Sequence, residues 1–128
     1  MYPSSLKSYE NGKLKLTTDQ LYNTLESCSI CPRNCRVNRL KDEKGYCKTG
    51  LKPKVVNFMP HHGEEPPISG TKGSGTIFFS NCNMSCSYCQ NFEFSQKEEG
   101  REVDSAELAQ FMLKLQDSGC HNLNLVTP

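Results

Sequence analysis

Gly75-Thr76-Ile77-Phe78-Phe79-Ser80-Asn81-Cys82-Asn83-Met84-Ser85-Cys86-Ser87-Tyr88-Cys89-Gln90-Asn91 decides how the rest of the chain is read. Its first six residues are β-branched, aromatic and small, the composition of a buried strand. The strand runs straight into three cysteines with the spacing C-x3-C-x2-C, at Cys82, Cys86 and Cys89. Three thiolates on one short loop can each take one iron of a 4Fe–4S cube. The fourth iron then keeps an open position, whereas an electron-transfer ferredoxin supplies a fourth cysteine.

Outward from this segment, Asp104 and Glu107 form a capping-box pattern, and Leu108, Phe111, Met112 and Leu115 recur on one helical face. Gly119 is the stop signal, and Asn122-Leu123-Asn124-Leu125-Val126 reads as a second strand. Strand, helix, strand is a βαβ unit, which predicts a parallel sheet. In that topology Cys120, at the start of the returning strand, lies a strand length of roughly 15–20 Å from the cysteine loop. It is expected to be a small buried hydrophobe, not a fourth ligand.

On the other side, residues 60–74 read as a loop rich in proline and glycine. A strand is predicted at Lys54–Phe58 and a helix from Thr18 to Ser27, with Thr17 and Gln20 as its capping box and Leu21, Tyr22 and Leu25 as its apolar face. Residues 1–16 show no period. Between helix and strand stand Cys28, Cys31, Cys35 and Cys47, spaced C-x2-C-x3-C-x11-C. Pro32 stiffens the turn, and Gly45 is read as the bend before Cys47. Four thiolates within this span predict a metal site, either structural zinc or a second iron–sulfur cluster, since both accept this donor set.

The chain has 128 residues, eight cysteines, fifteen Lys and Arg against fourteen Asp and Glu, and 35 % apolar residues. The apolar share is below the usual level of about 45–50 %, so metal is expected to assist a thin core. Near-neutral charge gives no electrostatic case for a nucleic-acid or membrane-surface partner. Met1-Tyr2-Pro3-Ser4-Ser5 lacks the apolar core of a signal peptide, and no apolar run approaches membrane length. A cytoplasmic location follows as an expectation, where clustered cysteines are metal ligands before they are disulfides.

Cys82 to Cys89, with an aromatic at Tyr88, resembles the signature of the radical S-adenosylmethionine (SAM) superfamily. Cys89-Gln90-Asn91 resembles the Cys-His-Asn of glycyl-radical activating enzymes. Cys31-Pro32-Arg33-Asn34-Cys35, the run from His62 to Gly70, Gly73 to Ser80, and Asn122 to Pro128 are similar to the pyruvate formate-lyase activating enzyme-like branch. The resemblance implies a SAM-cleaving enzyme that generates a 5′-deoxyadenosyl radical, with activation of a glycyl-radical enzyme as its further role. It implies Cys82, Cys86 and Cys89 as cluster ligands, Tyr88 beside the SAM adenine, and reduced flavodoxin or ferredoxin as electron donor. This chain departs from the family in carrying its cysteine quartet before the three-cysteine motif. The predicted fold is α/β: the N-terminal part of a partial (β/α) barrel over residues 75–128, after the loop 60–74 and a cysteine-rich metal-binding segment at 1–59. Its rivals are a two-cluster electron-transfer protein without SAM chemistry and a zinc-stabilised binding module. His61, His62, Glu64 and Glu65 read as loop residues, and Met84, Phe92 and Phe94 as apolar cover for the cluster.

Overall fold

A computed structural model describes residues 3–127; Met1, Tyr2 and Pro128, part of the expected leader reading and of the last quoted motif, lie outside it. Two helices open the chain, α1 at Ser4–Glu10 and α2 at Lys13–Asn23, joined through Gly12 in the left-handed region at φ 73°. A 3-10 turn over Thr24–Ser27 then leads into the first cysteine group. The expected helix start at Thr18 is therefore too late. Thr18 is helical, its hydroxyl donating to the Leu14 carbonyl one turn back at 2.9 Å, and Lys15 pairs with Asp19 at 2.8 Å. Leu21 and Tyr22 are exposed, so the apolar face read on this helix does not meet the core.

The four-stranded sheet has the order β3-β1-β2-β4, with β1 at Lys54–His61, β2 at Ser74–Phe79, β3 at Arg101–Glu102 and β4 at Leu123–Val126. β2 and β4 are parallel, from Gly75 opposite Leu123 to Phe78 opposite Val126. β1 is antiparallel to both its neighbours, so the sheet is mixed, not wholly parallel. β1 also runs past Phe58, where the sequence pattern ended it. β3 pairs only with Lys54 and Val55, so at Pro60 the strand is paired through β2 alone. Proline, which has no N–H to give, is tolerated on such an edge. A short helix, α3 at Pro66–Ser69, interrupts the expected loop.

The helix α5, Ser105–Asp117, covers one face of the sheet. Asp104 caps it by accepting from the Glu107 N–H at 2.8 Å. The other half of the expected capping box is replaced, because the Glu107 carboxylate pairs with Arg101. Phe111 and Leu115 reach the core with Val55, Ile77, Phe79, Val103 and Cys120, flanked by Leu108 and Met112. Phe58 stacks on Phe111 with ring centroids 4.2 Å apart. Each such side chain contributes about 1.5–3 kcal/mol on full burial. Gly75 allows β4 to approach, since a Cβ there would come within 2.9 Å of the Asn122 carbonyl. Among the described residues, no helix is long and apolar enough to cross a membrane.

Candidate metal centre

The cysteine loop leaves the C-terminal end of β2 with Ser80 and Asn81 buried, and the Ser80 N–H bonded to the Lys54 carbonyl at 2.9 Å. Asn81 at φ 73° and Ser85 at φ 52° take left-handed conformations that fold the backbone back on itself. Cys82, Cys86 and Cys89 are all partly buried on this loop. The Cys82 sulfur accepts from the Met84 N–H at 3.3 Å, and the Cys89 sulfur lies 3.4 Å from the Ser95 hydroxyl. Gln96 fixes the loop from outside, donating to the Cys86 carbonyl at 3.0 Å. It is carried just past the short helix α4, Phe92–Ser95. Phe94 packs on Phe78 with centroids 5.2 Å apart, while Phe92 is exposed. Phe92 and Phe94 thus share one helical turn, and only Phe94 of the two packs as the expected apolar cover. Tyr88 is 88 % exposed and Met84 is also exposed, so neither forms a wall of the site in this chain alone.

The quartet segment is held by its own backbone pairing, with Cys28 N–H bonded to the Val37 carbonyl at 3.0 Å and Arg36 N–H to the Cys28 carbonyl at 2.9 Å. Gly45 opens the turn that carries Cys47, its carbonyl accepting from the Lys48 N–H at 2.9 Å, and also serves close approach: a Cβ there would fall 2.8 Å from the Cys35 sulfur. Arg39, only 7 % exposed, lies among these thiols. Its Nε donates to the Cys28 sulfur at 3.0 Å and its Nη2 to the Cys47 sulfur at 3.2 Å, while Nη1 donates to the Thr49 carbonyl. Burial pushes the Cys28 thiol up, but the Arg39 hydrogen bond, the Ile30 N–H and the Arg39 charge outweigh it and bring it below the ordinary thiol range. Cys47 is treated likewise: burial raises it, and donors from Thr49 and Arg39 lower it further than burial lifts it. Both sulfurs are therefore biased toward thiolate, the form that binds metal.

The two cysteine groups adjoin. Arg33, stacked 3.7 Å over the Tyr46 ring, donates from Nε to the Asn83 carbonyl at 3.0 Å. The Asn81 amide reaches the Lys48 carbonyl at 3.3 Å and the Thr49 hydroxyl at 3.4 Å. A cavity of about 250 Å³ between the groups is lined by Cys28, Cys31, Cys47 and Cys82 together with Arg39, Ser80 and Asn81. Among the described residues, Ser80 Oγ and Asn81 Oδ1 are buried beside it without a hydrogen-bond partner. Cys120 is elsewhere: its sulfur faces the Lys72 carbonyl at 3.8 Å, and its Cβ neighbours Gly75 at the opposite end of β2.

Among the described residues, no three His, Cys, Asp or Glu side chains stand in a geometry that would hold a metal ion. Cys28, Cys35, Cys47, Cys82 and Cys89 instead have their sulfurs beside donors of the chain. The donor chemistry nevertheless fits soft metal. All the candidate ligands are thiols free of disulfides, and N–H groups donate to the sulfurs of Cys28, Cys35, Cys47 and Cys82.

A second cavity, which sequence reasoning missed, opens on the sheet face opposite α5. It measures about 430 Å³ and is lined by Met59, His61, Glu64, Phe78, Asn91 and Val126 among others. His61 was read as part of a loop but ends β1, edge-on to Phe78 with centroids 6.0 Å apart. The signal available was a His followed by Glu close to the chain that enters β2, which becomes legible only once β1 is extended to His61.

Comparison with known proteins identifies the chemistry at the coarse level. Residues 68–127 match the family of 4Fe–4S single cluster domains, so an iron–sulfur domain is present. An uncharacterized protein of Methanocaldococcus jannaschii is 36 % identical over 93 residues, covering 73 % of this chain and 26 % of that protein. The chain thus spans about a quarter of the length of the curated relative it matches. No solved structure matches.

Proposed function

We propose that this iron–sulfur domain is the cluster-binding part of a radical SAM enzyme, with Cys82, Cys86 and Cys89 as ligands of a 4Fe–4S cluster. The observation that carries this reading is the placement of three thiols at the C-terminal end of β2, beside its parallel neighbour β4, with Cys120 at the far end. Ligands of parallel α/β folds bind at that end of the strands. The barrel remains part of the proposal: β2, α5 and β4 would be its first βαβ unit, with α5 outside and the His61 and Phe78 face inside.

When bound, such a cluster supplies the electron that cleaves a carbon–sulfur bond of SAM, giving methionine and a 5′-deoxyadenosyl radical. The residues of this chain do the holding. Ser95 and the Met84 N–H direct hydrogen bonds at two ligand sulfurs, and Gln96 fixes the backbone at the third. Phe94 and Phe78 keep the strand end apolar, and exposed Tyr88 is available to a SAM adenine. The quartet Cys28, Cys31, Cys35 and Cys47 would hold a second metal, zinc or iron–sulfur. Reduced flavodoxin or ferredoxin is the proposed donor, and a glycyl-radical protein the proposed recipient.

The test is anaerobic reconstitution of the full-length protein, followed by reduction in the presence of SAM. Wild type should release 5′-deoxyadenosine and methionine, and Cys86→Ala should release neither. A fully loaded cluster that leaves SAM intact would overturn the proposal.

The shared cavity favours one alternative, a two-cluster electron carrier without SAM chemistry. Cys28, Cys31 and Cys47 line the same space as Cys82, so the quartet side could cap the fourth iron. In that case Cys47→Ala or Cys31→Ala would degrade the loop cluster as severely as Cys86→Ala does. The SAM reading requires that it survive.

A further inference from the structure

Arg39 belongs to neither cysteine motif, yet it is the charged side chain that touches two members of the quartet. A guanidinium is not left 7 % exposed without cause, because a buried charge must be paired. Its partners are two sulfurs at 3.0 and 3.2 Å and the Thr49 carbonyl, and among the described residues no carboxylate bonds to it. The forked donors therefore engage both sulfurs at once.

The electrostatics point to a metal-bearing state. Four thiolates on one zinc ion, or on an oxidised 4Fe–4S core, leave a net charge near −2. With Cys28 buried and the other three half-buried, that surplus calls for a compensating cation, and Arg39 sits at the wall of the cavity that Cys28, Cys31 and Cys47 line. A sulfur can accept a hydrogen bond while it ligates a metal, so the guanidinium need not leave when metal enters.

We infer that Arg39 is the counter-charge and positioning residue of a thiolate metal centre built on the quartet, engaging Cys28 and Cys47 through its two donors. The same guanidinium ties that centre to the cluster loop, because Thr49, whose carbonyl it bonds, also meets the Asn81 amide just before Cys82. This rests on the second metal centre proposed above but not on SAM cleavage.

The test is a zinc titration of the reduced, metal-free full chain against a chromophoric chelator, with Cys28→Ser defining which signal belongs to the quartet. Arg39→Met should weaken the quartet's zinc affinity about ten- to a hundredfold, the loss expected when hydrogen bonds to charged groups are removed. Arg39→Lys keeps the charge and loses the fork, so it should fall between wild type and Arg39→Met. Lys41→Met, on an exposed neighbour in the same 3-10 turn, should change nothing. With iron in the quartet, Arg39→Met should move that centre's midpoint potential in the negative direction, a readout that packing alone would not move. Equal zinc affinity in wild type and Arg39→Met would overturn the inference, as would a wild type whose zinc uptake is untouched by Cys28→Ser. Should Arg39→Met not fold, Arg39→Lys decides: an affinity below wild type but above that of Cys28→Ser supports the inference, and wild-type affinity, or a loss as large as that of Cys28→Ser, contradicts it. None of these outcomes depends on whether SAM is cleaved.

Discussion

Cys120 and Cys86 are the same amino acid in the same chain, and their positions relative to β2 separate their roles. Cys120 packs by Gly75 at one end of the strand and Cys86 follows the other. Cys120→Ala should leave the iron content unchanged and cost about 1 kcal/mol of stability, whereas Cys86→Ala should abolish the loop cluster's absorption. Iron analysis beside a denaturant titration checks both. The cysteine groups were legible in the sequence because their spacing is local, set by a few residues of backbone. Arg39 was not, since its two sulfur contacts span eight and eleven residues and exist only after the segment folds around it. His61 was hidden for a related reason: its place in a cavity depends on how far β1 extends.

At the scale of elements, β2, α5 and β4 were readable from periodicity and from Asp104 and Gly119. These signals act within one or two turns, and tertiary packing agrees with them. Asp104→Ala should cost about 1 kcal/mol through the lost cap, and Phe111→Ala roughly 3–5 kcal/mol through the lost core ring. Both are measurable as shifts of the unfolding midpoint. At the start of the same helix, a hydrogen bond from Arg101, then its charge, hold the Glu107 carboxyl below the usual carboxylate range. A depressed carboxyl stabilises the fold above its unfolded pKa, and that contribution is lost as pH falls through the folded value. The melting-temperature gap between wild type and Glu107→Gln should therefore be present at neutral pH, close on acidification, and shrink in high salt. The N-terminal helices were misread because their sequence carries little tertiary information: neither α1 nor α2 has a buried residue. Antiparallel β1 was half-seen because Pro60 looks like a strand breaker until its free edge is known.

For the molecule as a whole, one face of the sheet is closed by α5 and the other carries the His61, Glu64 and Asn91 cavity. The cysteine-rich segment docks at the carboxyl ends of β2 and β4, so both candidate centres gather at one pole. No sequence pattern announces that meeting, because it depends on contacts such as Arg33 to Asn83, fifty residues apart. It brings the quartet close enough to matter for the loop cluster, as a neighbour or as a rival source of its fourth ligand. Electron paramagnetic resonance of the reduced loop cluster, recorded with and without SAM in protein whose quartet is filled with zinc, separates these states most directly. An iron left free of side chains predicts that SAM changes the g values of the signal. A spectrum that SAM leaves unaltered would mean the fourth iron is already capped, and would contradict the SAM reading.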